Sequence, residues 1–215
     1  MATQTTTDQS APLPGSSDFE HATSLGIAND KLAIWGLIGS ECLFFGALIS
    51  TYLIYVTRTG EGPTPATIFD IPFTSASTFI LLMSSLGMVL ALAAIQAGEM
   101  RRFRAWTLAT ALMGSTFLAG QIYEFTVFVE EGFRLDTSPF ASSFFVLTGF
   151  HGFHVAFGIM MLVALWVASM MGRVPPRLHT TVENIGLYWH FVDIVWIIIF
   201  TAIYLIPAAT SVAAH

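Results

Sequence analysis

The spacing of the long apolar runs constrains this chain more than any other feature. Five lie near 32–56, 73–97, 105–129, 140–171 and 184–206. Each is long enough to cross a hydrocarbon core of roughly 30 Å at a helical rise of about 1.5 Å per residue. The fourth run is over-long, so it is expected to tilt or to extend beyond the bilayer. The connections Thr57–Pro72, Gly98–Arg104, Glu130–Pro139 and Gly172–Glu183 are short, which favours antiparallel sequential neighbours. The expected fold is all-α: a polytopic membrane protein with five transmembrane helices in an antiparallel bundle. One domain covers 31–207, between an N-terminal tail of 1–30 and a short C-terminal tail of 208–215; no internal repeat is evident.

Composition agrees. The 215 residues are 54% hydrophobic and 10% charged, whereas soluble domains carry about 25% charged residues. The single cysteine, Cys42, excludes a disulfide scaffold and any multi-cysteine metal or cluster site. The net charge of −6 and the lack of a basic stripe argue against nucleic acid as a partner. The tail is rich in Thr, Ser, Gln and Pro, with no Lys or Arg before Lys31. It therefore lacks the basic start of a signal peptide and reads as a flexible cytoplasmic extension.

Basic residues set the orientation. With the N-terminus inside, Lys31, Arg101, Arg102, Arg104, Arg173 and Arg177 fall on the inner side, against Arg58 and Arg134 outside. The bias predicts N-in, C-out. Trp35, Trp106 and Trp189 then fall near inner ends, as an interfacial belt would. The many Phe read as core filler or lipid contacts.

Ionisable side chains inside these runs are costly in hydrocarbon, so they mark an interior face, a partner or a function. His190 and Asp193 lie in YWHFVDIVW, Tyr188–Trp196, three residues apart on one helical face. Glu41, in SECLFF, lies ten residues past Lys31, near mid-membrane at roughly 15 Å depth. It reads either as a neutral acid bonded to a neighbouring helix or as a proton-handling or gas-path residue. Glu124, beside Tyr123 in GQIYEF, reads as an interface anchor or as a bond within the bundle, and interface anchoring is favoured. His151 and His154 share a face in TGFHGFHV, with Gly149, Gly152 and Gly158 allowing close helix approach. Two such histidines could ligate a metal or haem. However, the chain has no Glu-x-x-His of the di-iron bundle pattern, and hydrogen-bonded structural histidines are the better reading. By depth, Glu41 and Asp193 share a level with His151 nearby. This suggests a single polar network joining three helices without any cofactor.

Together these motifs resemble subunit III of the haem-copper terminal oxidases. SECLFF at Ser40–Phe45, GQIYEF at Gly120–Phe125, TGFHGFHV at Thr148–Val155, YWHFVDIVW at Tyr188–Trp196 and FTAIYL at Phe200–Leu205 stand in that family's order and spacing. The chain resembles the five-helix bacterial form, lacking the first two helices of the mitochondrial seven. Loss of those two removes one wall of the family's lipid cleft and so changes its shape. The resemblance implies a non-catalytic subunit of a respiratory oxidase in the bacterial plasma (inner) membrane. It implies no metal or redox cofactor on this chain, haem and copper in the partner catalytic subunits, and bound structural phospholipid. Oxidase subunit I would be the direct partner, with subunit II and other subunits beyond it. Lipid binding, support of proton uptake and durability in turnover would be its roles. Glu41, Glu124, His151, His154, His190 and Asp193 would form a buried polar, proton-environment set. The motifs lean towards cytochrome c oxidase, while the IFDIPF loop at Ile68–Phe73 and the five-helix form also resemble quinol oxidases. A relative is associated with nitric oxide reduction. A stand-alone membrane metalloenzyme or transporter, using the buried Glu, His and Asp itself, is the alternative of a different class.

Overall fold

The computed structural model describes residues 29–58, 70–175 and 179–205. The expected tails apart from Asn29 and Asp30, the Gly- and Pro-rich part of the first connection, the Ile68–Phe69 start of IFDIPF, and Pro176 with Arg177 lie outside the described residues. Five helices follow in order: α1 Asn29–Tyr55, α2 Ile71–Gln96, α3 Met100–Glu130, α4 Pro139–Met170 and α5 His179–Phe200. The last one widens into a π-helical turn, Thr201–Leu205.

The helices outrun the apolar runs at several ends, for local reasons. Asp70 caps α2 by accepting from the Phe73 N–H at 3.1 Å, with Pro72 in the first turn. Ser138 does the same for α4 through the Ala141 N–H at 3.1 Å, with Pro139 as the first helical residue. α3 begins at Met100, so Arg101, Arg102 and Arg104 ride on the helix and the connection before it is shorter than expected. α2, α3 and α4 each end on a glycine in the left-handed region: Gly98, Gly132 and Gly172, at φ of 75°, 84° and 70°. The backbone N–H just beyond each reaches back five residues to an unpaired carbonyl, as Glu99 does to Ala94 at 2.8 Å.

α2 packs on α3 and α5, and α4 packs on α3 and α5, closing a four-helix ring; α1 lies outside it, across α4 and α5. Lys31 pairs with Glu183 at 2.9 Å, so α1 and α5 begin at the same end. Arg104, early in α3, donates to the Ser169 carbonyl at the end of α4 at 2.6 Å.

α1, α2, α4 and the α5–π segment are long and apolar enough to cross a membrane. α3 falls short of that apolarity, against the expectation of five such spans. Its interior face carries Thr107, Thr110, Gly114 and Gln121, which are buried against other helices. Small and polar residues serve helix–helix contact in a bundle at the expense of hydropathy.

One side chain occupies the middle of the ring. Trp189 is 1% exposed, and its indole fills a slot between Gly114 of α3 and Gly158 of α4. A Cβ at Gly114 would lie 2.5 Å from Trp189 Cη2, and one at Gly158 would lie 2.8 Å from Cε3. Trp189 is thus a core wedge and not part of an interfacial belt. Trp35, 62% exposed, keeps the expected outward position.

Candidate functional site

The polar residues within the spans are held in separate contacts between pairs of helices. The richest contact is the seam between α2 and α5. Ser85 of α2 donates to Asp193 Oδ2 at 2.6 Å, and His190 Nδ1 stands 3.2 Å from the same hydroxyl. A hydroxyl has one proton. With that proton given to Asp193, Nδ1 of His190 is the donor and Ser85 bridges the two residues. One residue earlier on each helix, Trp189 Nε1–H donates to Ser84 Oγ at 3.0 Å, and further along Trp196 Nε1–H donates to Thr78 Oγ1 at 2.9 Å. Ser84 and Thr78 in turn donate to carbonyls of their own helix, Leu81 at 2.5 Å and Thr74 at 2.7 Å. Each hydroxyl therefore spends its proton within α2 and offers a lone pair to α5.

A second contact joins α1 to α4. Glu41 Oε2 lies 3.3 Å from His154 Nε2, long for a hydrogen bond. His154 Nδ1 is 2.7 Å from the Phe150 carbonyl, which can only accept, so Nδ1 carries a proton. Tyr188 donates to the His154 carbonyl at 3.1 Å and ties α5 to the same turn of α4. A third contact joins α2 to α3. Thr74 donates to Glu124 Oε1, and its hydroxyl also lies 2.9 Å from the Asp70 carbonyl.

Three expectations need correction. The single network through Glu41, His151 and Asp193 is not formed: Glu41 pairs with His154, whereas Asp193 pairs with Ser85. The ring of Phe45 stands against His154 at 5.0 Å and against His151 and Phe191 at 6.5 Å each, placing apolar packing among these groups. His151 is not a hydrogen-bonded histidine. It is fully buried, neither ring nitrogen has a hydrogen-bond partner among the described residues, and the ring stacks on Trp196 at 4.9 Å. Glu124 is no interface anchor: it is buried and turned to α2, while its neighbour Tyr123 is exposed. Adjacent helical residues point about 100° apart, so the two could not share a role.

The glycines of the histidine motif divide similarly. Gly158 admits Trp189. Gly152 admits the Gln121 amide, where a Cβ would lie 3.0 Å from Oε1, and Gln121 donates to the Thr148 carbonyl at 2.7 Å. Gly149 has no neighbouring side chain close by. Among the described residues, no three of His, Cys, Asp or Glu gather in an arrangement that could hold a metal ion.

Sequence reasoning missed the partners on α2: Thr74, Thr78, Ser84 and Ser85. A signal was available. Hydroxyls at 74, 78 and 85 repeat at intervals of four and seven in an otherwise apolar run, which places them on one face.

Fold and site together define a helical membrane protein whose buried polar groups bind one helix to the next. The profile of the family described as cytochrome c oxidase subunit III matches residues 21–207. The chain is 36% identical to cytochrome c oxidase subunit 3 of Bacillus sp. (strain PS3) over 190 residues, 86% of this chain and 90% of that one. It is also 36% identical to quinol oxidase subunit 3 of Bacillus subtilis (strain 168) over 187 residues, 87% of this chain and 91% of the relative. To the cytochrome bo(3) ubiquinol oxidase subunit 3 of Pseudomonas aeruginosa it is 35% identical over 191 residues, 89% and 91% of the two chains. The chain belongs to the subunit III family of the haem-copper oxidases.

Proposed function

We propose that this chain is the non-catalytic subunit III of a respiratory oxidase that reduces oxygen to water with proton pumping, most like cytochrome c oxidase. The observation that carries the reading is the fate of the signature YWHFVDIVW. Its Trp189, His190, Asp193 and Trp196 side chains bond hydroxyls of α2, and its Tyr188 bonds the backbone of α4. A motif committed in this way to joining helices builds a rigid support, with haem and copper in the partner catalytic subunits. Subunit I is the direct partner, with subunit II beyond it. The bundle sits in the bacterial plasma membrane with its N-terminus inside, and all five helices span it. The positive-inside bias and the shared end of α1 and α5 support that antiparallel arrangement. Structural phospholipid has a candidate seat of about 580 Å³ between α1 and α4, where Leu48 and Val146 lie beside Thr51, Tyr55 and Ser142.

Glu41 and His154 support proton uptake from the α1–α4 side, through the proton on one or the other of the facing atoms. The test is Glu41→Gln in the assembled oxidase. Normal amounts of complex, with altered proton uptake or faster inactivation in prolonged turnover, are expected. Unchanged proton uptake and endurance would remove this role. A haem spectrum or turnover by the chain purified alone would overturn the accessory reading itself. A second reading, subunit III of a quinol oxidase, has the support of the equal identity to quinol oxidase relatives. The purified complex distinguishes the two readings by which donor it oxidises.

A further inference from the structure

A groove of about 610 Å³ runs between α1 and α5, on the side of α5 away from its seam with α2. Ile38, Gly46 and Ile49 line it from α1, and Leu187, Ile194 and Ile198 from α5. The lining extends over twelve residues of each helix, 38–49 and 187–198, a length of roughly 16 Å. It is a dry surface with one exception. His190 stands in it, with Nδ1 spent on Ser85. Because Ser85 gives its proton to Asp193, Nδ1 is the donor, and Nε2 of the neutral ring is an acceptor with no partner among the described residues.

Depth decides what can meet that acceptor. His190 is the twelfth of the 27 residues in the apolar segment His179–Leu205, which puts it near the middle of the membrane. Phospholipid headgroups do not reach that level, and acyl chains offer no hydrogen-bond donor. A donor at mid-membrane comes from the side chain of another helix. The length of the groove matches three turns of such a helix, and the bare backbone at Gly46, with nothing within 4 Å of a built Cβ, allows close approach.

We infer that the α1–α5 groove is a docking surface for a transmembrane helix of another oxidase subunit. That helix presents a Ser, Thr, Asn, Tyr or Trp donor to His190 Nε2. The inference rests on the reading of this chain as an oxidase subunit and adds the face by which it is held. Cys42, the single cysteine of the chain, also lines the groove and is exposed in the isolated chain.

The experiment uses the complete oxidase purified from its own membranes. A photoreactive phenylalanine analogue replaces Ile194, and the adduct is identified by mass spectrometry. In the same preparation Cys42 is alkylated with a small maleimide, before and after detergent dissociation. The expected adduct is to one transmembrane segment of a different oxidase polypeptide, with Cys42 reacting more slowly in the complex than after dissociation. Adducts to lipid alone or to a second copy of this chain would overturn the inference, as would equal Cys42 reactivity in both states. Failure of the chain to co-purify with haem-bearing subunits would instead overturn the subunit reading, and the docking surface with it. His190→Leu is a second probe. It removes the acceptor while the cross-link at Ile194 reports whether the helix is still seated, and a weakened cross-link is expected.

Discussion

The seam between α2 and α5 and the seat of α1 differ in how their polar groups are used. Along α5 the side chains of Trp189, Asp193 and Trp196 are buried and each bonds a hydroxyl of α2. Against α1 the structure sets one long Glu41–His154 contact, both side chains partly exposed, and one surface pair, Lys31–Glu183. Burial follows the same division: 56% of the apolar window of the α5 segment is inside the protein, against 6% for α1. Lipid is as apolar as leucine, so burying apolar surface does not by itself drive helices together in a membrane. Packing of small residues and interhelical hydrogen bonds must do so, and they are concentrated at the ring. α1 is a helix whose outer faces are left for other company.

Gly114→Ala forces a Cβ against the Trp189 indole and should cost roughly 1–3 kcal/mol of overpacking, read as an earlier midpoint in detergent unfolding. Adding Trp189→Phe in that background should recover much of the loss, and a Gly114→Ala protein as stable as the parent would refute the wedge. Next comes Asp193→Leu, which strands Ser85 and His190 and should cost about 1–3 kcal/mol, with less complex recovered from membranes. Normal recovery would show that the seam does not depend on this carboxyl. Single rungs should matter less. Thr78→Val or Ser84→Ala, each removing an acceptor from a tryptophan, should cost about 0.6–1.7 kcal/mol. The smallest structural effect is expected on the α1 side, where Glu41→Gln should change stability by about 0.6 kcal/mol or less. If Glu41→Gln destabilised the chain as much as Asp193→Leu, the contrast between the two regions would collapse.

Much of the architecture was legible in the sequence. The five helices follow from run length and from turn residues such as Gly98, Gly132 and Gly172, which the chain needs at positive φ. Asp70–Pro72 and Ser138–Pro139 mark two starts in the way helix chemistry requires. The polar residues of the site were legible as residues, because charge in an apolar run stands out. Their pairing was not. Depth counting placed Glu41, His151 and Asp193 on one level, yet residues at one level can face different neighbours, and rotation about the helix axis decides which. Hydroxyls in α2 escaped notice for a related reason: a Ser or Thr in an apolar helix can satisfy itself on its own backbone, so its sequence signal is weak.

By itself, then, the sequence determined a membrane-embedded helical chain of the subunit III type, with ionisable groups that had to be turned inward. Run length, composition and motif order are properties of the chain, and the cost of burying charge in hydrocarbon holds in any packing. Only the tertiary structure decided that Asp193 and His190 meet at Ser85, that Glu124 turns to Thr74, that His151 is stacked on Trp196, and that Trp189 is a core wedge. Those outcomes depend on which helices are adjacent and how each is rotated. Steric fit sets both: an indole enters where two glycines leave room for it, and the hydrogen-bonding partners on either side follow from that placement.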